Sequence, residues 1–144
     1  MSVRMGRREF LGGVLAAGVV AGSGWWWLGS GGDTGESRPG GGTTTLSALP
    51  PDVAAVYRYV AANRSLAAHV PCYCGCGQFE GHTSLWDCFM KADGEFDDHA
   101  AGCMICLEIG RDIGALAKQG NDLVAIRARI DERFRQYGPP TKTQ

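Results

Sequence analysis

After residue 50, apolar residues recur at the spacing of an α-helix. Val53, Val56, Tyr57 and Val60 form one stripe, continued by Leu66 and Ala67. Pro50-Pro51-Asp52 opens it, with Asp52 as a cap or a first-turn acid. Pro71 disfavours helical geometry before it, so the first helix ends at or before Val70. Leu85 to Met90 reads as a short second helix, capped by Thr83 or Ser84, and Lys91-Ala92-Asp93-Gly94 as a turn. Asp97 and Asp98 open a third helix that runs to about Lys118. Gly120 stops it, and Asn121 or Asp122 caps a fourth. Leu123, Ile126, Ile130, Phe134 and Tyr137 stripe that last helix until Gly138-Pro139-Pro140 ends it. No segment reads convincingly as a strand. The expected fold is all-α, a small bundle of about four helices carrying a loop over Cys72–Gly81.

The first part of the chain has another pattern. An apolar run without charge extends from Phe10 to Leu28, behind Arg7-Arg8-Glu9. A basic segment before an apolar one is an export signal or an anchor, and Arg-Arg-x-Phe-Leu matches the twin-arginine signal. The alternative is an ordinary anchor whose arginines only set orientation. Trp25-Trp26-Trp27 resembles an interfacial belt, which favours a retained anchor, although the run is short and glycine-rich for a span. Gly29 to Thr45 is rich in Gly, Ser and Thr and is expected to be a flexible tether. The organisation expected is a twin-arginine signal or membrane anchor over 1–28, a linker over 29–49, a Cys-rich helical domain over 50–138 and a tail over 139–144. The domain is then extracytoplasmic, either tethered to the membrane by an uncleaved amino-terminal segment or secreted.

Length and charge narrow the picture. A chain of 144 residues supports one modest domain. A formal net charge of -1 leaves no electrostatic footprint for nucleic acid, so no nucleic-acid partner is expected. No Ser/His/Asp order, phosphate loop or paired carboxylates in a credible site points to a hydrolase or a kinase.

The candidate chemistry lies in a short window. Pro71-Cys72-Tyr73-Cys74-Gly75-Cys76-Gly77 holds three of the six cysteines, and Cys88, Cys103 and Cys106 follow. The three histidines, His69, His82 and His99, lie in the same window. Gly75 and Gly77 can adopt positive φ and fold the loop tightly around whatever the thiols hold. On a continuous third helix His99, Cys103 and Cys106 stand at i, i+4 and i+7, and so share a face. Cys72, Cys74, Cys76, Cys88, Cys103, Cys106, His82 and His99 are the candidate metal ligands, and His69 reads as a surface residue. Thiolates select copper(I), zinc or iron–sulfur clusters and exclude an all-oxygen calcium or magnesium site. One zinc site or one iron–sulfur cluster takes four ligands and leaves thiols over. Copper(I), which tolerates low coordination and bridging thiolates, is the first choice, in a carrier, storage or sensing role with a metal-exchange protein as partner.

Two other readings stay open. One is a thiol–disulfide oxidoreductase using Cys103-Met104-Ile105-Cys106, with helix-end amides lowering the Cys103 pKa, although the βαβ context of such motifs is missing. The other is a binding module stapled by disulfides. The Cys72-x-Cys74-x-Cys76 spacing argues against it, because near neighbours bridge each other poorly.

These motifs resemble a known family. Pro71-Cys72-Tyr73-Cys74-Gly75-Cys76 resembles the defining motif of the exported bacterial PCYCGC-motif proteins. Gly81-His82-x-Ser84-Leu85-x-Asp87-Cys88-Phe89, Phe96-Asp97-x-His99-Ala100-x-x-Cys103-x-x-Cys106-Leu107 and Ile126-Arg127-x-x-Ile130-Asp131 are similar to it as well. The resemblance covers roughly residues 50 to 137. It implies an exported domain, in many members a lipoprotein, and implies no activity. This chain has no cysteine before Cys72 to accept a lipid.

Overall fold

The structure is a computed structural model and describes residues 42–143. The segment expected to be a signal or anchor (1–28) and most of the expected linker (29–49) fall outside the described residues. The rest is mostly helical, as the periodicity predicts. Helix α1 spans Pro51–Ala62, α2 Arg64–Ala67, α3 Cys76–Phe79, α4 Met104–Lys118 and α5 Leu123–Phe134. Single 3-10 turns cover Leu46–Ala48, Trp86–Cys88 and His99–Gly102.

Three helices form the scaffold. Helix α4 packs on α1 and on α5. Val56, Tyr57 and Val60 of α1, Ile109 and Ile113 of α4, and Ile126, Ile130 and Phe134 of α5 are buried in one core. Gly110 lets α1 approach, since a Cβ there would stand 2.5 Å from Val56 Cγ1. The ring of Tyr57 packs edge-on against Phe89 at 4.8 Å, and its hydroxyl donates to the Asp97 carbonyl at 2.7 Å. Burial of these side chains supplies most of the fold's stabilisation, at about 1.5–3 kcal/mol each.

The helix ends follow the capping rules. Pro51 stands at the first helical position of α1, where its missing N–H costs nothing. Asp52 is a first-turn acid, paired with Arg111 at 2.9 Å. Gly120, at φ 83, ends α4, and Asp122 caps α5 by accepting from the Ala125 N–H at 2.8 Å.

Several expectations are corrected. The first helix breaks at Asn63, whose side-chain amide donates to the Tyr59 carbonyl and competes with the helical pattern. The second helix shrinks to the 3-10 turn Trp86–Cys88. Thr83 and Ser84 do not cap it through their own oxygens; Asp87 reaches back and accepts from both of their N–H groups and from the Thr83 hydroxyl. The third helix does not begin at Asp97. His99–Gly102 is a separate 3-10 turn, Cys103 is extended at φ −116 and ψ 104, and α4 starts at Met104. Gly102 disfavours a continuous helix there, and the Asp97 carboxylate accepts from the His99 N–H at 2.8 Å, which fixes the turn. Tyr137 lies beyond α5 and is exposed.

The expectation of no strand also fails, in a small way. Strand β1, Thr43–Thr44, pairs antiparallel with β2, Phe96–Asp97, in the register Thr43 with Asp97 and Thr44 with Phe96. Met90 bridges Phe96 on the other side, across the turn that Gly94 closes at φ 90. Strands of two residues carry no readable alternation. Thr43–Thr44 also lies within the stretch read as linker, and its order comes from the partner strand rather than from its own composition.

Candidate metal centre

The cysteine-bearing stretch is mostly irregular backbone held from outside. Pro71 to Tyr73 runs without regular structure against the carboxy-terminal end of the chain. The Cys72 N–H donates to Thr141 Oγ1, and the Cys72 carbonyl accepts from the Thr141 N–H, both at 2.9 Å. Thr141 is buried. Pro139 and Pro140 favour the extended conformation that this strap needs. Gly138 permits the approach, because a Cβ there would stand 2.9 Å from the Tyr73 carbonyl oxygen. The Tyr73 hydroxyl donates to Asp131 of α5, which clamps the loop to the scaffold.

The chain then reverses. Gly75 adopts φ 89, a conformation that a side chain would strain, and leads into α3, which presents Cys76. Gly77 does not have positive φ. It lies inside the short helix, and a Cβ there would stand 3.1 Å from both the His82 carbonyl oxygen and Thr141 Cγ2. Its role is therefore close packing under the strap. A cavity of about 340 Å³ lies here, lined by Gly75, Gly77, His82 and Thr141 among others.

The thiols converge. The sulfurs of Cys72, Cys74 and Cys106 form a triangle, with Cys72 3.4 Å from each of the others and 3.6 Å between Cys74 and Cys106. Cys76 and Cys88 stand 3.5 Å apart. His99 Nε2 lies 3.7 Å from Cys74 Sγ. Four ligands placed tetrahedrally at a metal–sulfur distance of about 2.3 Å stand about 3.8 Å from one another, so this spacing suits donors around a common ion. All six cysteines are free thiols. Cys72, Cys76, Cys88 and Cys106 are buried, while Cys74 and Cys103 are partly accessible.

All eight candidate ligands take part. Cys74, His99, Cys103 and Cys106 have donor atoms within 4.8 Å of one another, as do Cys76, His82, Cys88 and His99. Cys72 falls in two further groups, with Cys74 and Cys76 and with Cys88 and Cys106. The shared helix face proposed for His99, Cys103 and Cys106 does not exist, yet the three donors meet. The break at Cys103 turns the His99 segment back over the start of α4. His82 joins from the loop after Gly81, with its ring edge-on to His99 at 4.9 Å. His82 Nδ1 is buried and has no hydrogen-bond partner. His69 stays apart and bonds the Ser65 carbonyl at 2.7 Å.

The electrostatics divide the sulfurs: Cys72 and Cys74 are held low, whereas Cys76, Cys88 and Cys106 are pushed up. The Cys74 thiol is held far below its ordinary range, because Cys103 and then Cys106 donate to its thiolate. Cys106 is pushed up, first by Cys103 and then by Cys72. The His99 pKa rises to about 10, because the Cys103 and Cys74 sulfurs stabilise its imidazolium.

A family model described as a protein of unknown function with PCYCGC motif matches residues 40–144. The chain belongs to the PCYCGC family. The match takes in both β1 and the Thr141 strap. No curated protein and no solved structure matches the chain. The description assigns no activity, so the chemistry of the PCYCGC domain rests on its own side chains: six clustered thiols and two imidazoles that could hold a metal ion.

Sequence reading missed the parts that hold this centre together. Thr141, Gly138 and the Tyr73–Asp131 clamp act across long separations and leave no local signal. The one available cue was Pro139-Pro140, which marks an extended segment as well as a helix stop.

Proposed function

We propose that the PCYCGC domain binds a soft metal ion, copper(I) by first choice, as a carrier, store or sensor outside the cytoplasm. The observation that carries this reading is His82 Nδ1, a buried ring nitrogen with no hydrogen-bond partner beside a cluster of free thiols. A buried polar atom left unpaired is costly, and a coordinated ion removes that cost. Sulfur with imidazole is a soft to borderline donor set, which suits copper(I) or zinc. An iron–sulfur cluster takes four protein ligands, cysteines or cysteines with two histidines, and leaves four of the eight donors over. The partly accessible Cys74, Cys103 and His99 are the donors that a metal-exchange protein would reach.

Full-length protein isolated anaerobically under reducing conditions is expected to carry copper or zinc and few reactive thiols. A strong chelator should release the metal and expose several thiols together. The rival oxidoreductase reading is favoured by the approach of the Cys103 and Cys106 sulfurs to within 4.8 Å, with Cys103 partly accessible. It requires instead metal-free protein, turnover with a disulfide substrate and loss of that turnover in Cys103→Ser. The disulfide-stapled module requires no metal and no free thiols. Protein that carries no copper, zinc or iron and takes up none ends the metal reading.

Export by the twin-arginine route is part of the proposal, supported by Arg7-Arg8-Glu9-Phe10-Leu11 ahead of the uncharged run. Attachment to the membrane follows if that segment is retained. Changing Arg7→Lys and Arg8→Lys together should stop translocation of a fused folded reporter; unchanged export by the double variant removes this part of the reading.

A further inference from the structure

The donors outnumber the needs of one ion, and their arrangement is not uniform. Cys74, His99, Cys103 and Cys106 form one set of four, and Cys76, His82, Cys88 and His99 form another. The two sets share only His99. An ion with four ligands satisfies one set and strands the other. If it sat on the first, the buried pair Cys76 and Cys88 would be left with the unpartnered His82 Nδ1. If it sat on the second, the Cys74, Cys103 and Cys106 sulfurs would be left beside the positive end of α4. Neither half looks like packing alone, because each combines thiols with an imidazole.

Cys72 belongs to both halves. Its sulfur is fully buried and lies within 4.8 Å of Cys74 and Cys106 on one side and of Cys76 and Cys88 on the other. The strap holds its backbone at both N–H and carbonyl, so this central position is enforced. A thiolate has lone pairs for two ions, and a buried bridging sulfur is the feature that distinguishes a joined centre from two independent sites.

We propose that the PCYCGC centre is polynuclear. It holds at least two soft metal ions, one on the Cys74, Cys103 and Cys106 side and one on the Cys76, Cys88 and His82 side, with Cys72 as the bridging thiolate. The proposal rests on the soft-metal reading above, and the experiment separates the two. Copper(I) is titrated into full-length protein under anaerobic reducing conditions, and bound ions are counted by native mass spectrometry. Two or more ions per chain are expected. His82→Asn and Cys103→Ser should each lower the count while each retains at least one ion, because they touch different halves. Saturation at one ion overturns the polynuclear centre and leaves metal binding intact; no uptake at all overturns both. A single mononuclear site is also revealed if one variant loses all copper while the other keeps the wild-type count. X-ray absorption on the loaded wild-type protein needs no variant to fold: a metal–metal scattering path supports the bridge, and its absence at full loading overturns it.

Discussion

The scaffold and the cysteine-bearing half of this domain are stabilised in different ways. Helices α1, α4 and α5 bury branched and aromatic side chains along continuous stripes, and their backbones are bonded within each helix. Residues 70–103 contain regular structure only in pieces of two to four residues. Their backbone is held by side chains and distant segments: Asp87 to Thr83 and Ser84, Asp97 to His99, and Thr141 to Cys72. Their buried side chains include three thiols, which are small and contribute little apolar area. The scaffold stands on hydrophobic burial, whereas the other half adds polar contacts and, in our reading, metal to a few apolar anchors such as Val70, Leu85 and Phe89. The difference shows how an irregular loop system can position seven of the eight donors around Cys106 of α4: it is fixed from outside by a rigid helical support.

The largest expected effect breaks the scaffold. Phe134→Ala empties a fully buried site in α5 and should cost about 3–5 kcal/mol. Denaturant unfolding checks this, and the loss should be similar with and without metal. Removing metal should act on the other half alone. At free metal a hundredfold above Kd, bound metal adds about 2.7 kcal/mol. Stripping it should speed amide exchange over residues 72–103 while α1, α4 and α5 stay protected. Uniform loss of protection across both regions would erase the distinction.

A smaller change tests the strap. Thr141→Val removes the acceptor for the buried Cys72 N–H and should cost about 1–3 kcal/mol. Because it loosens Cys72 rather than a ligand atom, weaker metal binding should accompany the stability loss, read by competition with a chromogenic chelator. The smallest effect serves as the control. Asp122→Ala removes the cap of α5 and should cost about 1 kcal/mol, with metal content and affinity unchanged. A metal defect in this variant would mean that the two regions are coupled more tightly than their contacts indicate.

Much of the scaffold was legible in advance. The stripe of Ile126, Ile130 and Phe134, the stop at Gly120 and the acid at Asp52 are local signals, and the structure uses them as expected. The cysteines were legible as a cluster, because no scattered set of core residues would gather into one window. Legibility failed where the backbone bends between elements. Gly102 is a weak cue, and nothing near Cys103 announces that it is extended. Thr83 and Ser84 look like caps until Asp87 is seen to bond both.

The amino-acid sequence by itself determined the helical class, the apolar stripes of the long helices and the identity of the thiol and imidazole donors. These depend on periodicity, capping and residue chemistry, which act within a turn or two of the chain. The tertiary structure alone decided that Cys72 lies among Cys74, Cys76, Cys88 and Cys106, that His82 meets His99, and that Thr141 closes on a residue 69 positions away. Those contacts depend on how α1, α4 and α5 pack and on where the connecting turns then lead. The energy of such a contact appears only once distant segments have been brought together, so no local window of sequence contains it.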